Sequence, residues 1–119
     1  MNPTYSKILV IALLFVGEAL SIYAEMVGAK SGNIASQPFF SVFAKMFLII
    51  TIAGGFLIAG YMLGFKAFES IWIVSVASIT SILIVEPILA YAFFQQMPTT
   101  GAVIGLILGV IGFAFAIFF

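Results

Sequence analysis

Four long apolar segments, separated by short polar stretches, make up almost the whole chain; they lie at residues 8–27, 39–65, 71–94 and 101–119. A helix needs about 20 apolar residues to cross the hydrocarbon core of a bilayer. Strands of a membrane barrel would alternate in polarity over about ten residues, and these segments do not alternate. The pattern therefore predicts an all-α integral membrane protein, an up-down bundle of four transmembrane helices joined by short loops. One tight turn is expected at residues 66–69.

The composition agrees with this prediction. Hydrophobic residues make up 65% of the 119 residues, charged residues make up 7%, and the mean hydropathy is +1.36. A soluble domain is about half apolar and about a quarter charged. We expect residues 1–119 to form a single transmembrane domain. The first segment resembles a signal peptide, but no cleavage pattern followed by a polar domain appears, so we expect it to be retained.

Several classes of chemistry are not expected from this composition. The chain has no cysteine and no histidine, and its formal net charge is zero with no arginine. We therefore predict no disulfide, no metal site, no cofactor and no nucleic-acid partner. Acid–base catalysis would have to rest on glutamates alone, so we do not expect an enzyme.

The lysines do not fix the orientation in the membrane. Lys7 and Lys66 lie on the side of the N-terminus, and Lys30 and Lys45 lie on the other side. Because the two sides carry equal numbers of lysines, the positive-inside rule predicts no orientation. Two interpretations stay open: a weak bias settled by other factors, and dual insertion with copies that pair antiparallel.

Glu18 is the leading functional candidate because it lies in the middle of the first apolar segment. An ionised carboxylate at that depth is costly, and such residues serve proton relays, ion pathways or cationic ligands. The nearest lysine on the N-terminal side, Lys7, is roughly 16 Å away along the helix. We predict that Glu18 binds protons and substrate. The alternative is a protonated glutamate hydrogen-bonded to a neighbouring helix.

The third segment carries a polar stripe formed by Trp72, Ser75, Ser78 and Ser81. A repeat of about three residues places these side chains along one drifting helix face. As a functional feature it would be a pocket wall, with Trp72 facing a cation and Ser75 and Ser78 orienting a carboxylate. As a structural feature it would be hydrogen-bonding between helices, with Trp72 at the membrane interface.

Two further motifs are candidates. Glu86 and Pro87 place a carboxylate beside a helix-disrupting proline, which predicts a functional bend or a packed hinge; an ion pair of Glu86 with Lys30 or Lys45 is the alternative. In the fourth segment Gly105, Gly109 and Gly112 permit close backbone approach. They predict a dimerisation helix, with packing inside the chain as the alternative.

These features resemble the drug/metabolite transporter superfamily. The central glutamate in the first of four spans is similar to small multidrug resistance proteins, as are Met1-Asn2-Pro3, Ile71-Trp72 and Phe93-Phe94-Gln95-Gln96. The Glu86-Pro87 pair before a turn and a glycine-bearing helix is similar to one repeat of the EamA-type transporters. The resemblance implies a bacterial inner-membrane protein that forms an antiparallel homodimer. Two copies of Glu18 would then face a shared chamber lined by Trp72.

Three functions follow as hypotheses. The leading one is a small secondary transporter, a proton-coupled exporter of a cationic or amine-like small molecule, acting as a dimer around Glu18. The second is a non-transporting membrane subunit of a larger complex. The third is a subunit of a lipid-linked-sugar flippase.

Overall fold

The chain folds into four α-helices in a computed structural model that describes residues 2–32, 36 and 38–119. The helices are α1 (Pro3–Gly32), α2 (Phe39–Phe68), α3 (Ile71–Phe94) and α4 (Thr100–Phe118). Each is long and apolar enough to cross a membrane. The described residues contain no strand. The prediction of an all-helical chain with four long apolar helices is therefore confirmed.

The prediction of a turn at residues 66–69 is wrong. Helix α2 continues to Phe68 and ends at Glu69, whose φ of 57° is left-handed and whose N–H donates to Phe65 O. Ala67 and Phe68 pack against the buried apolar cluster of Val10, Leu14 and Val74. Lys7 Nζ lies 5.5 Å from the centre of the Phe68 ring. This packing stabilises the helix as far as Phe68, although the polar residues Lys66 and Glu69 indicated a turn.

Helices α1 and α2 pack closely through small residues. A Cβ at Gly17 would lie 2.7 Å from Leu57 Cδ2, and a Cβ at Gly60 would lie 2.7 Å from Leu14 Cδ2. Each leucine therefore fills the space that the opposite glycine leaves open. Contacts that move forward along α1 move backward along α2, so these two helices are antiparallel.

Helix α3 packs against α1 and runs parallel to it. Val74 joins Val10 and Leu14 in the fully buried apolar cluster near the start of both helices. Near the other end, the rings of Tyr23 and Phe93 meet edge to face with centroids 5.7 Å apart. Helix α1 therefore contacts both α2 and α3, and these two helices meet each other where Gly64 approaches Val74.

Helix α4 occupies the edge of the molecule. Its N-cap is Thr99, whose Oγ1 accepts a 3.1 Å hydrogen bond from the Ala102 N–H. Among the described residues it packs against α3 alone, and none of its residues is buried. The Cα atoms extend over 50 × 34 × 17 Å, so the chain is a flat slab with α4 open on most sides.

Candidate functional site

Glu18 lies at the middle of α1, about 22 Å from either end of the helix. Its side chain is half-buried. The preceding residue, Gly17, is buried against Leu57 and lies close to the backbone oxygen of Ala53. Close packing of α1 on α2 therefore fixes the backbone that carries the carboxylate.

The carboxylate of Glu18 accepts a hydrogen bond from α3. Ser78 Oγ donates to Glu18 Oε1 over 2.6 Å, within the ordinary range for a hydroxyl donor. Ser78 is only 3% exposed, so water is excluded from its side of the bond. The structure thus brings together two of the residues that the sequence selected.

The rest of the polar stripe does not join Glu18. Ser81 is buried, but its Oγ donates to Ala77 O of its own helix over 2.9 Å. Ser75 is half-buried. Trp72 lies about 9 Å along the helix from Ser78 and is 77% exposed. Within one chain Trp72 lies on the outer surface rather than in a chamber.

Glu86 and Pro87 line a separate cavity of about 600 Å³ between α3 and α4. Glu86 is exposed. Helix α3 remains helical through Pro87, although the proline cannot donate a hydrogen bond to Leu83 O.

Glu25 was not among the residues selected from the sequence. It follows Glu18 by seven residues, which returns it to the same face of α1 two turns later. Its side chain is exposed in the structure.

Lys30 has a backbone partner. Its Nζ donates to Phe93 O over 2.8 Å, which satisfies one of the carbonyls left free in the last turn of α3. A cation at that position also interacts favourably with the negative end of the helix dipole. Lys30 thus joins the last turns of α1 and α3. The ion pair of Glu86 with Lys30 or Lys45 stays an alternative drawn from the sequence.

The glycines of α4 differ in their surroundings. A Cβ at Gly109 would lie 3.4 Å from Leu83 Cδ2, so Gly109 faces α3. Gly105 and Gly112 have nothing within 4 Å of that position. Gly109 therefore packs against another helix of the chain, whereas space remains next to Gly105 and Gly112.

Comparisons of the chain with protein-family models, with curated proteins and with solved structures give no match. Among the described residues, no three His, Cys, Asp or Glu side chains converge as metal ligands do. The candidate function is therefore inferred from the contacts of Glu18.

Proposed function

We propose that the protein is a small secondary transporter of the bacterial inner membrane, a proton-coupled exporter of a cationic or amine-like small molecule. In this proposal the four helices span the bilayer as an up-down bundle, and Glu18 binds protons and substrate in turn. The observation that carries the proposal is the hydrogen bond from Ser78 to Glu18 at the middle of α1. Such a position corresponds to the midplane of the bilayer.

Ser78 gives Glu18 a hydrogen bond but no positive charge. Its hydroxyl orients the carboxylate by bonding to one of the two carboxylate oxygens. An ionised carboxylate within hydrocarbon still needs a counter-charge. A proton or a cationic substrate supplies it, and each excludes the other. This exclusion is sufficient to couple substrate movement to proton movement when access alternates between the two sides.

A second copy of the chain completes the proposed site. Trp72 is exposed in the single chain, and α4 buries none of its residues. An antiparallel homodimer would cover these surfaces and bring two copies of Glu18 to one chamber. The open glycines Gly105 and Gly112 are suited to close approach of another helix.

Flux measurements test the role of Glu18. Protein in liposomes is given an imposed pH gradient, and movement of tetraphenylphosphonium, a lipophilic cation, is followed. Glu18→Gln should abolish gradient-driven flux and still accept the bond from Ser78. Glu69→Gln is the matched control, because Glu69 lies at the end of α2, and it should transport like the wild type. A Glu18→Gln variant with wild-type flux would overturn the proposal and favour a purely structural hydrogen bond.

The open α4 surface also favours the second candidate, a non-transporting subunit of a larger complex. The same surface would then be covered by a different membrane protein. Native mass measurement of the protein extracted in mild detergent separates the two candidates. A clean homodimer supports the transporter, and a stoichiometric complex with another protein supports the subunit.

A further inference from the structure

The cavity between α3 and α4 has the size and lining of a ligand site. Its volume of about 600 Å³ lies within the range of small-molecule pockets in proteins. Apolar side chains form most of the wall, and α1 contributes Met26. At the end of the cavity near the α3–α4 loop lie polar groups of Gln96 and Thr99.

Small residues on α4 keep this cavity open. Gly105 and Ala102 both line it, and nothing lies within 4 Å of the position that a Cβ at Gly105 would occupy. A larger side chain at Gly105 would therefore extend from the cavity wall, with no neighbouring atom within 4 Å of its Cβ. This property provides a direct way to fill the site.

Glu86 is the one charged residue in the lining. The nearby cation Lys30 donates to Phe93 O. Pro87 cannot donate to Leu83 O, and both residues line the same cavity. A single carboxylate therefore lies on the α3 side of a mostly apolar space.

We propose that this cavity binds a lipophilic monovalent cation, a protonated amine or a quaternary onium ion with apolar substituents. The cation lies against Glu86, and its apolar groups contact Leu83, Ala90 and Leu106. An uncharged or anionic molecule of the same shape gains the apolar contacts but not the charge pairing. The site is separate from Glu18 and does not rest on the transport cycle proposed for that residue.

Equilibrium binding of tetraphenylphosphonium to the purified protein tests the proposal. The Glu18→Gln variant serves as the background, because it removes the carboxylate assigned to transport. This variant should still bind the cation. Adding Glu86→Gln or Gly105→Leu should weaken binding at least about tenfold, since the first removes the counter-charge and the second fills the space. Tetraphenylborate, the anion of the same shape, should bind about tenfold more weakly than the cation.

Two matched controls accompany these variants. Gly101→Leu places the same side chain on α4 at a glycine with open surroundings outside the cavity lining. Glu25→Gln removes an exposed carboxylate that does not line the cavity. Both should retain binding within about threefold of the Glu18→Gln background.

Several outcomes would overturn the proposal. Binding that disappears with Glu18→Gln alone would assign the cation to Glu18. Equal binding by the Glu18→Gln and Glu18→Gln/Glu86→Gln proteins would show that Glu86 does not hold the charge. Equal loss in Gly105→Leu and Gly101→Leu would show that the effect does not come from filling the cavity. If the Glu18→Gln protein does not fold, binding is measured with the same variants in the wild-type background. There Glu86→Gln should remove one of two binding sites.

Discussion

Ser78 Oγ on α3 donates to Glu18 Oε1 on α1 over 2.6 Å, and in the described part of the chain this is the one hydrogen bond between two side chains. It lies where α1 packs against both α2 and α3. A hydroxyl donor at this point orients the carboxylate without neutralising it. In the proposed cycle the carboxylate then binds a proton or a cation.

Removal of the Ser78 hydroxyl should impair transport more than folding. Ser78→Ala takes away a hydrogen bond to a charged group, and we expect the initial rate of tetraphenylphosphonium flux to fall about tenfold. Ser81→Ala is the control, since Ser81 is equally buried but donates to its own helix; it should keep wild-type flux. The interpretation of Ser78 fails if the two variants lose flux equally, or if Ser78→Ala transports normally.

Gly64 should be intolerant of a methyl group. An added Cβ would lie 2.8 Å from Val74 Cγ2 and 3.0 Å from Val10 Cγ1, and valine side chains have little rotational freedom. Gly64→Ala should lower the free energy of unfolding by about 1–3 kcal/mol. Thermal unfolding in detergent, followed by circular dichroism, measures the change. Gly55→Ala, with nothing within 4 Å of the added carbon, should not destabilise the protein; an equal loss at both positions would contradict the packing described.

The bond from Lys30 to Phe93 O should stabilise the contact between α1 and α3. Lys30→Met removes this donor and should lower the free energy of unfolding by about 1 kcal/mol, a modest value because the lysine is exposed. The same unfolding measurement applies. Lys45→Met removes an exposed lysine of α2 and serves as the control. If both variants lose the same stability, the effect comes from net charge rather than from the helix end.

Glycine should be preferred at the end of α3. Gln95 caps this helix with a left-handed φ of 53°, a conformation that glycine adopts without the steric cost of a Cβ. Gln95→Gly should raise the free energy of unfolding by about 1 kcal/mol. Gln96→Gly is the control, because Gln96 lies outside the helix and is not among the left-handed residues. A gain at Gln96 equal to that at Gln95 would point to a general effect of loop glycines.

The sequence by itself determined the four helices. Backbone groups in a long apolar segment must bond to one another, and only the helix allows each segment to do so alone. The same reasoning placed Glu18 at the centre of its helix, because depth depends on position along the segment. It did not locate the end of α2, since Lys66 and Glu69 indicated a turn while packing of Phe68 extended the helix.

The tertiary structure decided which faces of the helices meet. These helices are apolar on nearly all sides, so periodicity contains little information about rotation around their axes. Packing brought Ser78 to Glu18 and left Trp72 outside, although all three lay in the same predicted site. It likewise placed Gly64 in a close contact and left Gly55, on the same helix, open. Whether a helix forms depends on its own residues, whereas the face that it buries depends on how side chains of several helices fit together.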